Sequence, residues 1–141
     1  MPEALTPGFT FEMKYQVPEN KTVPHLFPEF PEGLRMPEVF ATGFMVGLFE
    51  FACIRAINPF IRWPQEQTVG IHINISHAAP TPPGMTVTVK GTLTEVKGKK
   101  LSFSLEAWDN KDKISQGTHD RFIINAETFN AAVEAKRAAF L

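Results

Sequence analysis

Sixteen consecutive residues, Thr42 to Ile57, constrain this chain most: Thr-Gly-Phe-Met-Val-Gly-Leu-Phe-Glu-Phe-Ala-Cys-Ile-Arg-Ala-Ile. The run is apolar on nearly every side, the pattern of a helix buried on all faces. Asn58-Pro59 ends it, because proline disfavours helical geometry in the residue before it. Thr42 is placed to cap the start, its hydroxyl accepting from an orphan N–H. Gly43 and Gly47 each weaken the helix by up to about 1 kcal/mol relative to alanine. What they offer in return is close approach of another backbone or a ligand. A single helix of this kind needs an apolar bed, and only a sheet can supply it.

The rest of the chain provides that sheet. Phe9, Phe11, Met13, Tyr15 and Val17 alternate with polar neighbours, the period of a strand. Ile71, Ile73 and Ile75 alternate with His72, Asn74 and Ser76. Two further runs follow the same rule, Val87–Leu93 and Leu101–Ala107, and a fifth spans Lys113–Asn125. The turn sequences around Gly98 and Asp109–Asp112 join the last three strands as a meander. Asn125 then caps a terminal helix with a stripe of Phe129, Val133 and Phe140. Seven of the twelve prolines fall within residues 1–40, so no long helix forms there. Pro18 to Pro37 reads as an irregular, lid-like loop with apolar anchors at Leu26, Phe27 and Phe30. The expected class is α+β: a curved antiparallel sheet wrapped around a long central helix, with an N-terminal loop and a C-terminal helix. At 141 residues the chain is expected to form one domain.

Charge and cysteine content narrow the function. Fourteen Lys and Arg stand against fifteen Asp and Glu, so no basic excess exists to neutralise nucleic-acid phosphates. The single cysteine, Cys53, allows no intrachain disulfide and no cysteine-based zinc site, and fits a reducing cytoplasm. The opening Met-Pro-Glu-Ala-Leu has no signal-peptide pattern, and no unbroken apolar run of membrane-spanning length is expected. His25, His72, His77 and His119 lack metal-ligand spacing, and no phosphate-binding glycine motif or serine elbow occurs.

Three places carry chemistry. Glu50 is a carboxylate in the middle of the apolar helix, and an unpaired buried carboxylate costs several kcal/mol. Arg55 is five residues on, about 140° around the axis, so the two should not pair. Glu50 therefore finds a partner elsewhere, faces a cavity, or marks a wet interface. His77 continues the face of Ile71, Ile73 and Ile75 and should point to the core side, either as a bonded structural group or as a catalyst. Thr42 and Gly43 stand at a helix N-terminus, which is an ordinary cap or a site for a developing oxyanion. The basic turn Lys97, Lys99 and Lys100 is a solvated hairpin tip or a contact for a nucleotide-tailed substrate.

These residues resemble a known family. The stretch Phe27 to Ala56, with Lys21-Thr22-Val23, His77 to Gly84 and Gly117-Thr118-His119-Asp120-Arg121, is similar to the fluoroacetyl-CoA thioesterases of the hotdog superfamily, over nearly the whole chain. The resemblance implies a hotdog fold, a homodimer with the site near its interface, and hydrolysis of a short acyl-CoA thioester without metal or redox cofactor. It implies catalytic roles for Thr42, Glu50 and His77 and substrate contacts at Gly70 and Arg121. Gly43 and Met36 join these as substrate-binding positions. The sequence departs from the family at the lid, where family phenylalanines fall on Gly33 and Met36. A broader acyl preference is expected in consequence. The rival readings are a hotdog hydratase or dehydratase and a non-catalytic acyl-CoA binding protein.

Overall fold

The computed structural model describes residues 5–141. The leader reading of the first residues therefore lies mostly outside it. Five strands form one antiparallel sheet: β1 (Thr10–Gln16), β2 (Glu66–Ile75), β3 (Thr86–Lys97), β4 (Lys100–Trp108) and β5 (Lys113–Asn125). Their order is β1-β3-β4-β5-β2, so β3, β4 and β5 are the expected meander. Gly98 turns the first hairpin in the left-handed region at φ 62°, which a side chain rarely adopts. Asp109 tightens the second, its carboxylate accepting the N–H groups of Lys111 and Asp112 at 2.8 and 2.7 Å.

The long helix, α1 (Thr42–Ile57), lies on the inner sheet face. Met45, Leu48, Phe49, Ala52, Cys53 and Ile57 are buried against Val87, Val89, Leu93, Leu101, Phe103 and Leu105. The expectation of burial on every face is corrected: Thr42, Gly43, Phe51 and Arg55 are exposed. A sheet covers only one side of a helix, and the lid loop reaches only the start of the other, where Leu26 lies against Gly43. Together with the turn that follows, Thr42–Phe60 is 19 residues long with a mean hydropathy of 1.2, enough in length and composition to cross a bilayer. In this fold its apolar face packs on the sheet instead.

Two further expectations change. The loop from Pro18 is not structureless, since short 3-10 turns occupy Glu19–Lys21, Val23–His25 and Pro31–Arg35. It is tied down by Val23 N–H to the Val39 carbonyl and Ala41 N–H to the Lys21 carbonyl, both 3.1 Å. Leu26 is part-buried, but Phe27 and Phe30 are exposed and stack on each other at 5.4 Å rather than anchoring the loop. The terminal helix, α2 (Ala126–Phe140), starts as expected, with Asn125 Oδ1 accepting from Thr128 N–H at 2.9 Å. Its stripe of Phe129, Val133 and Phe140 stays exposed, because no residue of α2 is buried in this chain.

Candidate active site

Two polar clusters lie against α1, one at its start and one beside its middle. The first pairs Thr42 with His77. Ala41, not Thr42, occupies the cap position, and Thr42 is the first helical residue. Its hydroxyl makes no cap bond and instead lies 2.6 Å from His77 Nδ1. The cap expectation fails because the helix already starts at Thr42, whereas a capping side chain must stand one position earlier, in extended backbone. β2 ends at Ile75, so His77 lies beyond the strand. Ser76 N–H and Ala78 N–H bond to β5 carbonyls at 3.0 and 2.7 Å and hold the histidine between them. Burial pushes the His77 pKa below its usual value, opposed by the Ala79 backbone. Its Nε2 is buried with no partner among the described residues. Met45 N–H bonds to the Ala41 carbonyl, while the Gly43 and Phe44 amides have no backbone acceptor. They form the open, positive end of the helix. A side chain at Gly43 would bring its Cβ to 3.0 Å from Leu26 of the lid loop.

The second cluster answers where Glu50 finds its partner. Glu50 Oε2 accepts from Arg121 Nη1 at 3.0 Å, and Arg55 takes no part. The Arg121 side chain is 3% exposed and that of Glu50 37%, so the pair is buried at one end and open at the other. Arg121 is held firmly: Nε donates to Thr68 Oγ1 at 2.9 Å and Nη2 to the Thr68 carbonyl at 2.7 Å. Gly70 stands opposite Arg121 across the β2–β5 ladder. A Cβ there would come within 2.6 Å of Glu50 Oε2, so only glycine leaves the carboxylate its place. Glu50, Gly70, Ile71, His72, Ile73 and His119 line an open cleft of about 320 Å³.

The core-side face expected from the isoleucine alternation breaks at this point. The β2–β5 register shifts between Gly70 and His72, and Ile71 is 51% exposed. Sequence reasoning also passed over Thr68 and His119, which is 2% exposed. Their signal was present: in β5, His119 and Arg121 share a face with Ile123 at period two. Two polar groups on a core face require partners.

Met36 is exposed on the lid loop, after the turn Pro31–Arg35. Lys100 of the basic turn pairs with Asp120 at 3.8 Å. Among the described residues no three His, Cys, Asp or Glu side chains converge to hold a metal ion. A separate apolar pocket of about 340 Å³ lies along α1 between Phe44, Leu48, Phe51 and β1. It contains none of Thr42, His77, Glu50, Gly70, His119 and Arg121.

An ion-paired carboxylate opening on a glycine-floored cleft, and a threonine–histidine pair at an open helix end, are parts for acyl transfer. Comparison with known proteins decides the family. The family model for the fluoroacetyl-CoA-specific thioesterase matches residues 19–127. The chain belongs to that family. It is 48% identical over 139 residues to the fluoroacetyl-CoA thioesterase of Streptantibioticus cattleyicolor, covering 99% of both chains. A solved structure of the fluoroacetyl-CoA thioesterase superposes with a TM-score of 0.92 at 48% identity, over 95% of this chain and 98% of that one. A thioesterase superfamily member from Thermus thermophilus, 24% identical, shares the fold with a TM-score of 0.85, over 98% of this chain and 97% of that one. The sheet, the central helix and the terminal helix are thus the expected hotdog fold, and the chain is a thioester hydrolase of the acyl-CoA class. Neither a hydratase nor a non-catalytic binding protein is favoured by these matches.

Proposed function

We propose that this enzyme cleaves short-chain acyl-CoA thioesters with water, through Glu50, Thr42 and His77, and that it tolerates several acyl groups. The observation that carries the reading is the Glu50 carboxylate, ion-paired on one side to buried Arg121 and open on the other to the Gly70 cleft. The pairing fixes the carboxylate in direction. It attacks the acyl carbon and expels the thiolate, leaving an anhydride that water then hydrolyses, or it takes a proton from a water that attacks that carbon directly; by either route the carbon–sulfur bond breaks and free acid and CoA leave. Amides at Gly43 and Phe44 face the oxyanion that develops on the carbonyl. His77, kept neutral by burial, exchanges a proton with the Thr42 hydroxyl or the leaving sulfur. Gly70 and Arg121 border the acyl group, and Met36 contributes a flexible apolar lid contact.

In this reading the working unit is a homodimer. Thr42 and Glu50 are eight residues apart on one helix, about 12 Å along its axis. Each cluster is bonded within itself and neither is bonded to the other. The unpartnered Nε2 of His77 supports a site completed by substrate and by a second copy. A cytoplasmic setting is supported by the single free thiol, Cys53, whose pKa burial pushes up to about 12.

The test is release of free CoA thiol across a panel of acyl-CoA esters, with the unaltered enzyme and Glu50→Gln. Hydrolysis of acetyl-, fluoroacetyl- and propionyl-CoA by the first, with kcat lost by at least about 1000-fold in the second, is the expected result. Near-normal turnover by Glu50→Gln would remove the carboxylate from the mechanism.

A further inference from the structure

We propose that His119 is a positioning residue for this reaction, holding Arg121 so that its guanidinium presents one N–H to the Glu50 carboxylate. The proposal rests on the reading of Glu50 as the catalytic carboxylate.

Two bonds define the state of His119. Its Nδ1 lies 2.7 Å from the carbonyl of His72, and its Nε2 lies 3.1 Å from Arg121 Nη1. A carbonyl oxygen only accepts, so Nδ1 carries the proton. A guanidinium only donates, so Nε2 carries none. Both partners therefore demand the same neutral tautomer. A second proton on Nε2 would set an N–H against the guanidinium. Burial, with the nearby charge of Arg121, opposes that protonation, although the bond to His72 and the charges of Glu50 and Asp120 favour it.

The sheet builds this arrangement. Arg121 pairs with Gly70 and Asp120 with His72, so Ile71 is an extra residue in β2. A bulge of this kind locally disrupts the ladder and re-aims nearby groups. Here the His72 carbonyl receives a side-chain donor from the neighbouring strand.

The consequence falls on Arg121. Thr68 takes Nε and Nη2, which leaves Nη1 as the corner that faces the site. Nη1 has two hydrogens. His119 accepts one and Glu50 the other. Without the lone pair on Nε2, one buried N–H would lack a partner and the corner would lose one of its two anchors. The groups also converge in space: a Cβ built on Gly70 would lie 2.6 Å from Glu50 Oε2, 3.2 Å from His119 Cε1 and 3.3 Å from Arg121 Nη1. Displacing a reacting group by about 1 Å can cost about 100-fold in rate.

Two substitutions separate the two bonds. In His119→Asn, the side-chain amide can replace the Nδ1–H donor to His72 but offers no acceptor at the Nε2 position. In His119→Gln, the longer side chain brings an acceptor to Nε2 and relinquishes the bond to His72. We expect His119→Asn to lower kcat by about 10- to 100-fold with KM changed less than about threefold, and His119→Gln to recover kcat to within about fivefold of the unaltered enzyme. In an Arg121→Lys background, where the fork is gone, His119→Asn should cost less than about twofold more. Glu50→Gln is assayed beside them. Normal kcat in His119→Asn beside an inactive Glu50→Gln would overturn the proposal and leave the reading of Glu50 standing. Equal loss in His119→Asn and His119→Gln, tracking their melting temperatures, would also overturn it, as the mark of a merely structural histidine. Full activity in Glu50→Gln would overturn the underlying reading and the proposal together.

Discussion

Glu50 and Arg121 form one ion pair, but they are unequal partners in stability. Glu50 is partly open to water, so removing its charge leaves Arg121 bonded to Thr68 and His119. Glu50→Gln should therefore change unfolding free energy by no more than about 1 kcal/mol. Arg121→Ala removes a buried cation with contacts to three residues and leaves Thr68 and His119 unsatisfied. A loss of about 3–5 kcal/mol is expected, read by urea titration of both variants. A large loss in Glu50→Gln would mean that the carboxylate is retained for stability rather than chemistry. Histidine burial sets the pH dependence. The pKa values of His77 and His119 are both lowered in the folded chain, so below about pH 6.5 the unfolded chain binds more protons than the folded one. Stability should be flat in this respect above that pH and fall as the pH drops towards 5. His119→Gln should shallow that slope, and thermal melts at a series of pH values would measure it. An unchanged slope would place the acid sensitivity elsewhere.

At the level of elements, the pairing of β1 with β3 depends on an absence. Phe11 stands directly opposite Gly91, and its ring fills the space a side chain would need: a Cβ on Gly91 would lie 2.2 Å from the ring. The same ring meets Phe103 edge-on, with centroids 5.8 Å apart. Gly91→Ala must push the ring out of this contact, at a cost of about 1–3 kcal/mol in stability. In a Phe11→Ala background Gly91→Ala should cost less, because the clash is gone. If the single variant is as stable as the parent, the ring has room to move. The helix α2 shows a second kind of element, one whose start is locally defined and whose apolar stripe has nowhere to pack within the chain.

On the scale of the molecule, the proposed homodimer makes a specific demand of the two polar clusters. If Thr42 and His77 of one copy work with Glu50 of another, Glu50→Gln and His77→Ala should complement each other. Mixed dimers would then contain one intact site in two, and random mixing would return about a quarter of normal activity. No recovery on mixing, with subunit exchange verified, would place the whole set within one copy. In the proposed function the lid sets selectivity. Met36 is an adaptable thioether and Gly33 carries no side chain, and a pocket differing by one small apolar group separates substrates by only about 1–3 kcal/mol. A modest preference for fluoroacetyl-CoA over acetyl-CoA is expected, to be enlarged by Met36→Phe, with the ratio of kcat/KM values as the measure. Strong discrimination that Met36→Phe leaves unaltered would move selectivity away from the lid.

Period and punctuation were enough to read the strands, the meander, the central helix and the cap at Asn125, because each depends on neighbours a few residues away. The oddity of Glu50 was legible for the same reason: a carboxylate among apolar residues is visible without coordinates. Its partner was not, since Arg121 is 71 residues away and reaches it only through the β2–β5 pairing. Nor was the role of His119, which depends on a one-residue bulge that local alternation cannot register. The Thr42 hydroxyl turned from cap to histidine partner because β2 and β5 carry His77 to it. Local sequence determines which segments are strand or helix and which side chains are costly to bury. Only the tertiary fold decides which of those costly groups meet, because strand register, not separation along the chain, sets the distances between them.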